Sequence, residues 1–288
     1  MEKKIALFAF VLMTVIVSNS AVLALSPMGP PKALLGQDQW SIGIEYGHQT
    51  MDLEAFGKDI NIESEPETHI TTRKGEYNIN DLKSNIVLGR ISYGVSDDWD
   101  AFLRLGVADA KCGIEQTFPD GTKEKYRGFD GSFGFGWGFG TRATFWRDEE
   151  VSWGGLFQIT WMEPDDSDIS STIEGEGLPF DLNYSGTAEI DIWEVQIAVG
   201  PTWRIDEGIH IYGGPFLHFV NGDLDFSGEI VDPDVGISMK SSGDIEEESQ
   251  FGGYVGAHLD VDENTSCFIE CQLTGDAWGI GLGAARRF

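Results

Sequence analysis

The chain has 288 residues, a formal net charge of −29 and 37 glycines. That acidic balance excludes nucleic acid as a partner, because binding phosphate needs a basic surface. Beyond residue 24 no apolar run approaches the roughly 20 residues of a spanning helix, so any membrane crossing by this chain requires a closed barrel.

Residues 1–24 read as a secretory signal peptide, with basic Lys3 and Lys4, an apolar run from Ile5 to Val17 and a small-residue cleavage site at Val22 to Ala24. No cysteine follows that site, so no lipid-anchored N-terminus is expected. Residues 25–38, with Pro27, Pro30 and Pro31, are expected as a periplasmic leader, and residues 39–288 as the barrel domain.

Strand side chains alternate between two faces, and the chain keeps returning to that period. Trp40, Ile42, Ile44 and Tyr46 oppose Ser41, Gly43, Glu45 and Gly47. From Met51 to Lys83 charges accumulate and a long loop is expected, with a hairpin over Thr68 to Asn80. Val87, Gly89, Ile91, Tyr93 and Val95 then oppose Arg90 and Ser92. After the Ser96–Asp98 turn, Trp99, Ala101, Leu103, Leu105 and Val107 oppose Asp100, Phe102, Arg104 and Gly106. A loop is expected over Gly113 to Asp130. Phe133, Phe135, Trp137, Phe139, Ala143 and Phe145 follow, alternating with glycines, Ser132, Arg142 and Thr144.

Past the turn at Arg147 to Glu150, Val151, Trp153, Phe157, Ile159 and Trp161 face outward, with Gln158 and Thr160 inward. Pro164 to Ser185 is expected as a loop. Trp193, Val195, Ile197, Val199 and Trp203 oppose Glu194, Gln196, Thr202 and Arg204. Ile209, Ile211, Leu217 and Phe219 oppose His210, Tyr212, Phe216 and His218. Asn221 to Glu248 is the last long acidic loop expected. Phe251, Val255, Leu259 and Val261 lie opposite Tyr254, His258 and Asp260. A strand to Leu273 and a final one to Phe288 end the chain. There Trp278, Ile280, Leu282, Ala284 and Phe288 share one face, and Gly279, Gly281, Gly283 and Ala285 the other. A solvated exterior would be polar, whereas this second face suits the crowded interior of a narrow barrel in lipid.

The fold expected is therefore all-β: an antiparallel transmembrane up-and-down β-barrel of ten strands, with eight or twelve if Thr68–Asn80 or Ser266–Leu273 is misread. Short turns and both termini belong on the periplasmic side, and long acidic loops outside. Trp40, Trp99, Trp153, Trp161, Trp193, Trp203 and Trp278 fall near strand ends, where aromatic girdles sit. Cys267 and Cys271, four apart on one strand, are too far separated to bridge. They are read as small side chains facing lipid, with a bridge from Cys112 to one of them as the alternative.

With these features the chain resembles the small outer-membrane β-barrel class that includes the OmpA/OmpW-like porin families. The resemblance covers the mature chain as a pattern rather than a motif. It implies an assembly signal on the last strand, carried here by Ile280, Leu282 and the terminal aromatic Phe288. The class usually has an apolar residue two places before the end, where this chain has Arg286. Outer-membrane localisation after export is implied, with membrane lipid, lipopolysaccharide and the barrel-assembly machinery as partners.

The inward charges Glu45, Arg90, Asp100, Arg104, Arg142, Glu194, Arg204, His258, Glu270 and Arg287 form the candidate lumen network. Ten strands enclose little more than their own side chains, so a filled, non-enzymatic lumen is the expectation. A narrow small-solute pore is the alternative, with Arg90, Arg104 and Arg142 opposing Glu194 and Glu270 to set its selectivity. A rim protease or lipid A-modifying enzyme could use only His48 or His218, with Asp223 and Asp225 following His218. No G-x-S-x-G or H-E-x-x-H motif supports one. A surface adhesin acting through its loops would leave no internal trace. Asp165–Asp168 and Glu246–Glu248 do not match an EF-hand loop, so neither a metal site nor a cofactor is assigned.

Overall fold

In the computed structural model every strand pairs antiparallel with its neighbours, and the sheet closes on itself. The structure describes residues 25–64, 71–117, 123–173, 182–230, 237–246 and 250–288. The signal-peptide assignment, part of the Gly113–Asp130 loop, part of the Thr68–Asn80 hairpin and most of the Glu246–Glu248 run lie outside the described residues. The described residues form twelve strands: β1 (Trp40–Ser64), β2 (Thr71–Ser96), β3 (Trp99–Thr117), β4 (Lys123–Arg147), β5 (Val151–Glu163), β6 (Ser167–Ile173), β7 (Leu182–Asp206), β8 (Ile209–Ile230), β9 (Ile237–Glu246), β10 (Phe251–Asp260), β11 (Thr265–Leu273) and β12 (Ala277–Arg287).

Ten of them close the lower ring, in the order β1-β2-β3-β4-β5-β7-β8-β10-β11-β12, with β12 paired back to β1. We call this ring the base; the C-terminal end lies at its lower mouth, where Phe288 N–H donates to the Trp40 carbonyl. Above it, β9 pairs with β8 on one side and β1 on the other, displacing β10, β11 and β12. β6 takes the place of β5 between β4 and β7. The upper ring, or head, is thus β1-β2-β3-β4-β6-β7-β8-β9 and is narrower by two strands.

The waist between the rings is marked by irregular pairing. Register shifts fall between Met51 and Leu53, between Asn80 and Lys83 and between Ala108 and Ala110. β5 breaks at Pro164, which lacks the N–H a ladder requires. Bulges are a standard device for bending a barrel wall. Asp81 adopts φ +52° and donates its N–H to Asp52 Oδ1 at 2.8 Å. Asp52 in turn donates its own N–H to the Asp276 carbonyl, on the turn joining β11 to β12.

The four stretches expected as long loops are corrected here: they are largely strand. A spanning strand needs only about 9–11 residues, and β10, β11 and β12 have 10, 9 and 11. β1, β4 and β7 have 25 each, and the surplus builds the head. Those stretches look like loops because, above the waist, the outer face becomes acidic. Their second face stays apolar, and in the fold it points inward.

The base is a membrane barrel. Its outer face exposes Ile42, Ile44, Leu103, Leu105, Phe135, Phe139, Ile197 and Val255, a surface that lipid solvates and water does not. Trp40, Trp99, Trp153 and Trp203 ring the lower edge of this band, and Trp161, Trp193 and Trp278 lie toward its upper edge. On β5, Trp153 and Trp161 lie about 26 Å apart along the strand at ~3.3 Å per residue, close to a barrel's apolar band once tilt is allowed for. Trp137 and Trp146 also belong to these belts. Trp137 stacks on Trp161 at 4.2 Å, and the bulge at Thr144/Trp146 turns Trp146 outward beside Phe145.

Candidate functional site

The lumen of the base is occupied by the chain itself. Residues 25–38, expected as a leader below the barrel, instead run from the lower mouth at Gln39 up the lumen to Leu25, and residues 25–31 are all buried. This stretch carries Pro27, Pro30 and Pro31, so it cannot pair as a strand, and its backbone groups need partners from the wall. The inward charges provide them.

Glu270 on β11 accepts the Met28 N–H at 2.6 Å through Oε1 and the Gly29 N–H at 2.8 Å through Oε2. Tyr212 O–H and Gln272 Nε2 also donate to this carboxylate, at 3.0 and 2.9 Å. Gly281 lies beneath it; a Cβ there would meet the Glu270 side chain at 2.9 Å and Pro27 at 3.1 Å, which explains the small inward face of β12. Arg104 Nη1 donates to the Pro27 carbonyl at 3.0 Å, and Arg142 donates to the Met28 carbonyl. Gln272 Nε2 reaches the Ser26 carbonyl at 3.2 Å. Lower down, Thr144 Oγ1 accepts the Ala33 N–H and Asp100 Oδ2 the Leu34 N–H, at 3.0 and 2.6 Å.

Glu45, Arg90, Asp100, Arg104, Arg142, Glu194 and Glu270 are all buried in the lumen. Glu45 pairs with Arg90 and lies 3.7 Å from Arg104. The three guanidiniums surround the Phe102 ring, at 5.0 Å for Arg142, 5.6 Å for Arg104 and 5.7 Å for Arg90. Their charge is thereby shared between carboxylates and one aromatic face. Arg142 and Glu270 do not oppose each other across an open passage, because both hold the same Met28–Gly29 peptide. Glu194 is paired with His218 at 2.9 Å.

Three residues of the expected network lie elsewhere. Arg204, still in register with His210, is exposed at the lower mouth, where it lines a groove with Thr202 and His210. His258 and Arg287 sit at the lower mouth, where Arg287 Nη2 donates to Asp260 Oδ1 at 3.1 Å. The network also contains residues absent from the charge reading: Gln158, Gln196 and Gln272, which link into a chain of amides, and the leader backbone. Their inward places in the alternation were a signal, but the Gln196–Gln272 contact joins strands that are not neighbours.

Above the leader, the head is filled by side chains. Tyr77, Ile79, Leu82, Ile114, Tyr126, Phe129, Ile190, Leu224, Phe226 and Ile245 form one buried cluster, which continues down through Met51 to Leu25 and Met28. Phe226 packs on Tyr77 at 5.2 Å and on Tyr126 at 5.6 Å between ring centroids. The rim residues do not assemble into a catalytic group. His218 is fully buried, while Asp223 and Asp225 lie on the outer face of the same strand. His48 Nδ1 lies 2.8 Å from Asn85 Oδ1. All three cysteines are free; Cys112 faces the interior, and Cys271 is exposed on the lipid-facing side.

On the outside of the head, acidic residues meet across strands: Asp191 pairs in register with Asp223, and Glu189 with Asp225. The Glu189 carboxyl is raised above its ordinary pKa, chiefly by the charge of Asp166. Asp191 is raised by burial and then by Glu163.

No family model matches the chain, and no curated protein does. Among solved structures it is similar to the outer membrane protease OmpT from Escherichia coli, at 9% identity and a TM-score of 0.47, covering 92% of this chain and 99% of that one. It is also similar to the toluene transporter TbuX of Ralstonia pickettii, at 10% identity and a TM-score of 0.40, covering 90% and 92%. OprG of Pseudomonas aeruginosa aligns over 88% of this chain and 98% of its own, at 9% identity and a TM-score of 0.34.

Proposed function

We propose that this protein is a non-conducting, non-enzymatic outer-membrane β-barrel, whose base anchors a rigid acidic head and whose working surface is that head. The observation that carries the reading is the Glu270 carboxylate, which grips two consecutive amides of the leader in the middle of the lumen. A solute path would have to break these charge-assisted bonds, each worth about 1.5–3 kcal/mol, and then pass the aromatic packing of Phe226 with Tyr77 and Tyr126. Export by the signal peptide places the lower mouth and the C-terminus in the periplasm, with the start of the mature chain drawn up into the lumen. Assembly through Ile280, Leu282 and Phe288 then leaves the head outside the cell, facing lipopolysaccharide at its waist.

The test is conductance of the detergent-folded protein in a planar lipid bilayer. Silence from protein shown to be folded is the expected result. Reproducible single-channel steps would overturn the closed reading in favour of a small-solute pore. In parallel, replacing the outward acids Glu189, Asp191, Asp223 and Asp225 of the head by Asn or Gln is expected to alter binding to host or envelope surfaces, with the base still folded by heat-modifiable mobility.

A further inference from the structure

We propose that His210, His258 and Asp260 form a binding site for one divalent transition-metal ion at the lower mouth of the barrel. His258 and His210 are direct cross-strand partners on β10 and β8, so their imidazoles leave adjacent strands at the same height, with ring centroids 5.7 Å apart. Asp260 lies two residues beyond His258 on the same strand, and His210 Nε2 is 3.3 Å from its Oδ2. One donor atom from each of the three residues lies within 4.8 Å of the others. Donors about 2.1 Å from a tetrahedral ion lie ~3.4 Å apart, so a side-chain shift of about an ångström or less per residue closes the set.

A second observation points to a ligand. His258 is 5% exposed, and neither of its ring nitrogens has a hydrogen-bond partner. A buried imidazole left in that condition is costly, and coordination would satisfy one of its nitrogens. The surroundings suit an ion as well. Arg287 binds Asp260 Oδ1, fixing the carboxylate with Oδ2 turned toward His210 Nε2, which is the role of an outer partner at metal sites. His258 and Asp260 line a cavity of about 100 Å³ beside Lys32, and His210 lines the neighbouring groove at the mouth, so an ion can enter from below. Lys32 and Arg287 are cations facing the same space, and they hold the expected affinity to the micromolar range.

Two imidazoles and one carboxylate select the zinc class of ions. Calcium and magnesium require several oxygen ligands, whereas imidazole favours Zn²⁺, Cu²⁺, Ni²⁺ and Co²⁺. Three protein ligands leave at least one position for water.

The experiment titrates Co²⁺ into tag-free, detergent-folded mature protein, following the visible d–d bands, and then displaces it with Zn²⁺. One equivalent with a four- or five-coordinate spectrum is expected, abolished by stoichiometric Zn²⁺. His258→Ala and His210→Ala should each weaken binding at least tenfold, while His48→Ala leaves it unchanged. Folding of each variant is checked by heat-modifiable mobility, and Asp260→Asn replaces any variant that fails that check. Absence of a stoichiometric Co²⁺ spectrum from the folded wild type overturns the proposal. So does unchanged binding by folded His258→Ala.

Discussion

Along β7 from Ser185 to Val199 the odd-numbered residues face outward, yet the chemistry of the two faces exchanges at the waist. In the head, Glu189 and Asp191 point out, and Ala188, Ile190 and Ile192 point in. In the base, Trp193, Val195, Ile197 and Val199 point out, and Glu194, Gln196 and Thr202 point in. β8 repeats this with Asp223 and Asp225 outside Leu224 and Phe226, above Leu217 and Phe219 outside His218. One backbone geometry thus serves two solvents. The head excludes water from its interior and is held by apolar burial. The base gains nothing by hiding apolar groups from lipid, so its interior can carry charge, provided that every charge finds a partner. The leader supplies much of that pairing.

Core truncation in the head should produce the largest effect. Phe226→Ala removes the ring that bridges Tyr77 and Tyr126 and should cost about 3–5 kcal/mol. If head and base are held by separate forces, limited proteolysis will open the head while the base keeps its heat-modifiable mobility. Simultaneous loss of both would break the distinction.

A comparable effect is expected in the base from Glu270→Ala, for a different reason. The change strands the Met28 and Gly29 amides and leaves Arg142 and Arg104 short of negative charge, a loss on the scale of a broken buried ion pair, about 3–5 kcal/mol. Urea unfolding followed by tryptophan fluorescence should register it, and the leader should become accessible to protease from the lower mouth. Glu270→Gln, which keeps the shape and can still accept one amide, should recover part of the loss.

The outer faces can be tested with one type of substitution at two heights. Ile197→Arg places a charge near mid-band and should destabilise by about 2–4 kcal/mol. Asp223→Arg, also outward but in the head, should be neutral or stabilising by no more than ~0.5 kcal/mol, because it replaces a like-charge neighbour of Asp191. Equal penalties at the two sites would contradict the placement of the waist.

The smallest effect concerns pH. Folding raises the Glu189 and Asp191 carboxyls, so each costs the fold some stability above its raised pKa, and protonation relieves that cost. Head stability should therefore rise as pH falls from 7 through those raised values. Asp191→Asn should show a slightly higher melting midpoint than wild type at pH 7 and little difference near pH 4. A difference growing toward acid would contradict this sign.

Much of the base could be read in the chain because lipid imposes a rule on every second residue. The outward face of Phe133 to Phe145, the glycine face of β12 and the inward placement of Arg90, Arg104, Arg142 and Glu270 follow from period two alone. In the head the same period persists, with Tyr77 and Ile79 or Leu224 and Phe226 as its apolar members. There the outer charges mask it, because an acidic outer face gives a strand the composition of a loop. Arg204 keeps that alternation, and its exposure reflects only its height, at the open lower mouth.

By itself, the sequence determined the solvent of the base, its closed β architecture, the ten strands that span it and the faces of most residues. Each of these is a local consequence of side-chain alternation and of the demand that backbone polar groups be satisfied in lipid. Only the tertiary structure decided that β9 replaces three strands above the waist and that residues 25–35 fill the lumen. It alone brought His210, His258 and Asp260 to one point. Those outcomes depend on register between distant strands and on which wall carboxylate meets which leader amide. They are set by long-range pairing geometry, and no period in the chain encodes it.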